Sequence, residues 1–230
     1  MFTGIVQGIA QVVSLRDSEG LRTITLRLPP GFDEGLAIGA SVACDGVCLT
    51  VTSRPGDDQA SFDVMLQTLV LTTLAELHEG SAVNVERAAR EGAEVGGHPL
   101  SGHVDCRARV AQVRTPANNH VLRFEVPAPW MRYVFAKGYV AVNGASLTVA
   151  EAGKLPGGAG WFEVWLIPET LRMTTFGRKA VGDAVNLEID RSTQVVVDTV
   201  RDALEERLGP LLPALEAFAR ERGIELPAGA

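Results

Sequence analysis

Three pairs of unlike residues carry the chemistry available to this sequence. Cys48 stands in Val47-Cys48-Leu49-Thr50-Val51, where a matching run, Ala145-Ser146-Leu147-Thr148-Val149, has Ser146. Ile5 of Phe2-Thr3-Gly4-Ile5-Val6 answers to His103 of Leu100-Ser101-Gly102-His103-Val104, and Gln67 of Gln67-Thr68-Leu69 answers to Glu169 of Glu169-Thr170-Leu171. A thiol can serve as a nucleophile or as a polar wall. An imidazole takes a proton near neutral pH, and the hydroxyls of Thr50, Ser146 and Thr148 can donate to charge developing on a substrate. Plainer readings stand beside these: Cys48 taken alone is a small buried apolar residue, and the two threonines are ordinary strand residues. His98 and His103 are an odd number of residues apart with Pro99 between them, so on one strand they would face opposite ways, and no metal site is expected.

The pairs exist because the chain repeats itself. With a shift of 98 residues, Phe2–Val6 falls on Leu100–Val104 and Val42–Val51 on Val140–Val149. After a small insertion, Gln67-Thr68-Leu69 falls on Glu169-Thr170-Leu171, Thr72-Thr73 on Thr174-Thr175, and Gly80–Glu86 on Gly182–Glu188. Units of about 100 residues exceed any solenoid period and are large enough to hold a core each. We divide the chain into residues 1–97, 98–191 and a tail, 192–230, with the boundary between repeats near Gly96-Gly97.

Short β-branched runs such as Thr23–Leu28 and Trp161–Leu166, punctuated by Gly, Pro, Asn and Asp, predict a mainly β fold of barrels or sandwiches. Asp45-Gly46 and Asn143-Gly144 are tight-turn signals, although such a glycine can instead mark a bulge inside a strand. If Cys44 and Cys48 share a strand, they are too far apart for a disulfide. The tail changes period: Val196, Val200, Ala203, Leu204 and Leu208 recur at helical spacing, opposite Arg201, Asp202, Glu205 and Glu206. Ser192 or Thr193 can cap this helix and Gly209-Pro210 can stop it, with a second helical segment carrying Leu211, Leu215 and Phe218 to Gly223. An apolar face outside both repeats needs a cover: association with another copy of the chain is the preferred reading, and packing against its own barrels the alternative.

The 230 residues are 46% hydrophobic and carry a net charge of −7, which disfavours nucleic acid and anionic membranes as partners. There is no basic leader and no apolar run long enough to span a bilayer, so a soluble, cytoplasmic protein is expected. Three cysteines, with no C-x-x-C pair, argue against a secreted disulfide scaffold.

Met1–Val6, Gly46–Val51, Gly97-His98, Ser101–Val104, Asn143-Gly144, Ser146–Val149 and Ile167–Leu171 together resemble the riboflavin synthase family, and the resemblance runs from Met1 to about Val200. It implies two tandem six-stranded Greek-key barrels and a C-terminal helix that assembles a homotrimer. The implied reaction is a dismutation of two 6,7-dimethyl-8-ribityllumazine molecules. One gives a four-carbon unit to the other, forming riboflavin and a 5-amino-6-ribitylamino-uracil-dione without cofactor or metal. A lumazine- or flavin-binding protein of the same fold that lacks turnover is the alternative. Carried over by position, one pocket takes Gly4, Ile5, Val6, Cys48, Leu49, Thr50, Asp63, Val64, Met65, Leu66, Gln67 and Thr68. The other takes Gly102, His103, Val104, Lys137, Ser146, Leu147, Thr148, Leu166, Ile167, Pro168, Glu169, Thr170 and Leu171. The catalytic set implied is Cys48, His103, Ser146, Thr148 and Asp190, with His103 as base and Asp190 in an orienting or relay role. This chain departs from the family's usual Glu-Thr-Leu-Arg at Gln67-Thr68-Leu69-Val70 and from its usual Asn at Asp45, which puts the first pocket's hold on ribityl hydroxyls in question.

Overall fold

In the computed structural model, which describes residues 1–117 and 119–223, period-two alternation decides which side chains enter each barrel. Strand β4 (Val47–Ser53) shows it directly: Val47, Leu49 and Val51 are buried, while Cys48 is half-buried and Thr50 is exposed on the outer face. With β1 (Gly8–Ser18), β2 (Leu21–Arg27), β3 (Ser41–Cys44), β5 (Gln59–Met65) and β6 (Ala82–Arg87), it closes an antiparallel barrel in the order β1-β2-β5-β4-β3-β6. That order is a Greek key, since β2 skips to β5 and β3 skips to β6. Ile24, Leu26, Val42, Val51, Phe62, Val83 and Val85 fill it, and a short helix α1 (Leu66–Leu71) follows β5.

The second half repeats the plan with β7 (Cys106–Arg114), β8 (His120–Val126), α2 (Ala128–Met131), β9 (Tyr139–Val142), β10 (Ala145–Thr148), β11 (Glu151–Lys154), β12 (Gly160–Leu166), α3 (Pro168–Met173) and β13 (Ala184–Ile189). It has seven strand segments where six were expected. The counterpart of β4 is interrupted at Val149-Ala150, so β10 and β11, pieces of one strand, stand at the two edges of the sheet. The first barrel relieves the same position more gently, with a register shift between Val51 and Ser53.

Cys44 and Cys48 do not share a strand. Asp45-Gly46 turns the chain between β3 and β4 in a hairpin that pairs Cys44 with Val47 and Ala43 with Cys48, and all three cysteines are free. Asp45 (φ 44°) and Asn143 (φ 43°) both sit in the left-handed region, followed by Gly46 and Gly144, as a primed two-residue turn demands.

The two hairpin tips meet each other, and the contacts between the halves come in two-fold-related pairs. Phe2 N–H donates to Leu100 O at 2.8 Å, and Leu100 N–H to Phe2 O at 2.9 Å. Asn84 Nδ2 donates to Asn143 O at 3.0 Å, and Asn186 Nδ2 to Asp45 O at 2.8 Å. Thr73 N–H donates to Asn186 Oδ1 and Thr175 N–H to Asn84 Oδ1, each at 2.8 Å. A Cβ on Gly46 would lie 2.7 Å from Gly144 N, so the tips pack backbone to backbone. Met1–Asp190 is accordingly one compact unit.

Asp45 makes this joint pH-sensitive. Its Oδ1 accepts Asn84 N–H at 2.8 Å, as Asn143 Oδ1 accepts Asn186 N–H at 2.7 Å. Burial pushes the Asp45 carboxyl from 3.8 up to about 6, against the pull of the Asn84 N–H and of Lys179. A carboxyl whose folded value is raised holds its proton more tightly in the native state, so the ionised form costs stability above pH 6, and the cost disappears as pH falls towards the unfolded value. Asp45→Asn is therefore expected to stabilise the protein by roughly 2–3 kcal/mol at pH 7.5 and by much less near pH 4.5. Denaturant titrations of both proteins at the two pH values check this; a gain that does not shrink on acidification would contradict it.

The second unit begins at Arg191. Helix α4 (Arg191–Leu208) starts at Arg191, so Ser192 and Thr193 lie inside its first turn and Asp190 precedes it, two or three residues earlier than the capping signal suggested. A 3-10 turn at Gly209–Leu211 leads into α5 (Leu212–Arg222), which ends on Gly223 at φ 64°. Val196, Val200, Leu204, Leu208 and Leu212 line an apolar groove within this unit. No helix among the described residues is long and apolar enough to cross a membrane.

Candidate active site

The segments before β1 and β7 cross between barrels, and this decides which residues share a site. Glu86 at the end of β6 accepts Thr3 N–H (2.6 Å) and Thr3 Oγ1–H (2.8 Å) on Oε1 and Gly4 N–H (3.0 Å) on Oε2. Glu188 on β13 repeats the clamp, accepting Ser101 N–H (2.7 Å) and Ser101 Oγ–H (2.7 Å) on Oε1 and Gly102 N–H (3.0 Å) on Oε2. Burial pushes the Glu86 carboxyl up, and the three donors oppose it. Held in this way, each segment presents a carbonyl to the other barrel: Cys48 N–H donates to Gly102 O, and Ser146 N–H to Gly4 O, both at 2.8 Å.

The grouping expected from sequence is thereby reversed. Gly4-Ile5-Val6 belongs with Ser146 on the second barrel, and Gly102-His103-Val104 with Cys48 on the first, where Val104 is part of the barrel core. A side chain at either glycine would collide with its new partner, since a Cβ on Gly4 would fall 2.5 Å from Ser146 Cβ and one on Gly102 2.6 Å from Cys48 Cβ.

On the first barrel, Cys48 and Thr50 lie on the outer face, cross-strand from Ala43 and Ser41. His103, Met65, Leu66 and Gln67 are exposed, and Asp63 accepts a hydrogen bond from Thr23 Oγ1 at 2.7 Å. Thr68 is half-buried, its carbonyl capped by Thr72. Burial pushes the Cys106 thiol up to about 12 and Cys44 higher still, while Cys48 is half-buried and the most accessible of the three thiols.

On the second barrel, Ser146 and Thr148 lie on the outer face, cross-strand from Ala141 and Tyr139. Ile5, Lys137, Ile167, Pro168 and Glu169 are exposed, with Thr170 and Leu171 half-buried. Glu169 and Arg172 form an ion pair at 2.6 Å on α3, whereas α1 has Gln67 and Val70 in those places and no such pair. Leu49, Val64, Val6, Leu147 and Leu166 point inward and are buried, so only their backbones are available to a ligand on the outer face.

His98 belongs to the Gly97-His98 motif of the family resemblance and was weighed as a metal ligand, but it is not among the site residues expected from sequence. No described residues form a group of three or more metal-ligating side chains. Neither His98 nor His103 is on a strand, and they belong to different sites. Buried His98 instead brings Nδ1 to 2.6 Å from Ser146 Oγ. Burial lowers its pKa, opposed by the carboxylate of Asp190, so the imidazole is neutral near pH 7 with an anion close by to stabilise the cation that a proton would create. Its Nε2 is buried and makes no hydrogen bond. His98 lies in the connector outside the aligned repeats, where comparing the two halves gives no signal.

The family model described as "Lumazine binding domain" matches residues 3–88 and 101–190. Riboflavin synthase of Escherichia coli strain K12 is 47% identical over 208 residues, covering 90% of this chain and 95% of that protein. Riboflavin synthase of Mycobacterium tuberculosis strain H37Rv is 42% identical over 204 residues, 88% of this chain and 100% of that one. A crystal structure of LumP complexed with riboflavin shares the fold, with a TM-score of 0.74 at 23% identity over 83% of this chain and 100% of that chain. With two barrel-like sheets, both repeats matched and these relatives covered almost end to end, the chain belongs to the riboflavin synthase family of paired lumazine binding domains.

Proposed function

We propose that this protein is a riboflavin synthase, transferring a four-carbon unit between two molecules of 6,7-dimethyl-8-ribityllumazine. The observation that carries the reading is the pair of two-fold-related outer-face sites with unlike reactive groups, Cys48 with His103 on one and Ser146 with His98 and Asp190 on the other. Two molecules of one substrate need two similar sites, and opposite roles need those sites to differ. Deprotonating a lumazine methyl group calls for a base near neutral pH and for donors to the charge spreading into the ring. His98 and His103 are the bases on offer, Ser146, Thr148 and Thr50 the donors, and Cys48 the nucleophile or polar wall.

Residues 1–97 and 98–191 are assigned as the two lumazine-binding units, each using the positions carried over from the family in their exchanged grouping. Residues 192–230 are assigned to assembly of a homotrimer through the apolar groove of α4, which would set a first-barrel site of one subunit against a second-barrel site of its neighbour. Positioning two bound substrates in that way supplies much of the rate. The setting is cytoplasmic, and neither nucleic acid nor membrane is a partner. A pigment-binding protein without turnover would not need Ser146, His98 and Asp190 brought together.

Incubation of the purified protein with 6,7-dimethyl-8-ribityllumazine, followed by absorption and chromatography, is expected to yield riboflavin with no added cofactor. Tight binding without product would reject the enzyme. Sedimentation of the full chain is expected to give a trimer.

A further inference from the structure

The two sites differ at one more place, on the strand next to the reactive residues. Thr148 is paired across β9–β10 with Tyr139, and its counterpart Thr50 across β3–β4 with Ser41. Tyr139 lies on the outer face with 55% of its surface exposed, although it is a large aromatic residue. Its ring stacks on His98, the centroids 5.6 Å apart and the planes inclined at 25°. His98 thus lies over the β9–β10 hairpin with one contact to Ser146 and one to Tyr139.

The backbone that delivers His98 cannot itself choose the direction of the ring. Gly97, immediately before it, is pressed onto the site: a Cβ there would fall 2.4 Å from Thr3 O and 2.7 Å from Ser146 Cβ. This fixes where the connector passes. The χ angles of His98 are then set by what the imidazole touches, and aromatic stacking is a directional constraint of the required kind.

We propose that Tyr139 is a positioning residue of the second-barrel site, its stacked ring holding the His98 imidazole so that Nδ1 stays on Ser146 Oγ, and that Tyr139 against Ser41 is part of what makes the two sites unlike. The inference rests on the proposed reaction for its catalytic consequence but not for its structural one. Tyr139 acts through His98, so its removal should change the rate of the chemical step more than substrate capture. The hydroxyl has no part in the stack, so phenylalanine should serve in its place.

The test compares Tyr139→Ser, which copies the first site, with Tyr139→Phe. In Tyr139→Ser, kcat is expected to fall about tenfold or more, with KM changed less than about threefold. In the ligand-free full-length protein, the titration of His98 followed by NMR is expected to move up towards the ordinary imidazole range, because an imidazole freed from the stack gains solvent. Tyr139→Phe is expected to match the parent in both measurements. An unchanged His98 titration in Tyr139→Ser overturns the proposal, as does parental kcat in that variant or a Phe variant as impaired as the Ser one. Should the parent itself make no riboflavin, the proposed function falls, and the NMR titration still decides for or against Tyr139.

Discussion

His98→Ala is expected to lower kcat by about a hundredfold to ten-thousandfold, the range for loss of a positioned acid–base group. His98 is the side chain on Ser146 Oγ, at 2.6 Å, and the Asp190 carboxylate acts on it. Burial favours its neutral form, so it is poised to accept a proton at pH values where an ordinary histidine is already charged. The sign of the pH dependence follows. Protonation disables the base, so the parent's rate should decline on acidification only below the usual imidazole range, and His98→Ala should lose that limb. Buried His98 meets Ser146 Oγ rather than the open face, so KM should change less than kcat. Steady-state rates over about pH 5 to 8 give both results. His103→Ala, at the other site, should also reduce turnover more than lumazine binding, and the two variants separate the imidazoles by site. Parental rates in His98→Ala would remove this residue from the mechanism.

Glu188→Ala is expected to cost about 3–5 kcal/mol of stability, because it abandons buried donors that a carboxylate had satisfied. Ser101 N–H, Ser101 Oγ–H and Gly102 N–H all converge on Glu188, which is 3% exposed. The functional consequence should appear across the joint. Glu188 belongs to the second half, but the segment it clamps supplies Gly102 O to Cys48 N–H on the first barrel, so the first-barrel site should loosen. Glu86→Ala should do the reverse, releasing Gly4 from Ser146. Denaturant midpoints measure the first effect, and calorimetric binding of riboflavin to each variant measures which site is weakened. Loss confined to the mutated residue's own barrel would show that the crossing segments do not couple the sites.

Strand alternation and turn chemistry are short-range properties, and they were legible from sequence. The Asp45-Gly46 and Asn143-Gly144 turns, the short β-branched strands and the helical tail all follow from spacing within a few residues. Where local signals compete, element boundaries move: α4 begins before Ser192, and the counterpart of β4 is split after Thr148, because capping and bulging answer to neighbouring backbone as much as to side-chain type.

The composition of each site was not legible in this way. The repeat put Gly4 in line with Gly102 and Cys48 in line with Ser146, and it was natural to group residues within a repeat. The folded chain groups them across repeats, because Phe2 and Leu100 pair with each other and carry the following residues over the joint. A two-fold-related exchange leaves the alignment of the halves unchanged, so no comparison of one half with the other can detect it. His98 was hidden for a related reason, since it sits in the connector and has meaning only through contacts with Ser146 and Tyr139, far along the chain. By itself the sequence determined that there are two similar, mainly β units and that their matching reactive residues are unlike. Which outward residues meet was decided only in three dimensions, where long-range backbone hydrogen bonds and buried carboxylates hold each segment against the other barrel.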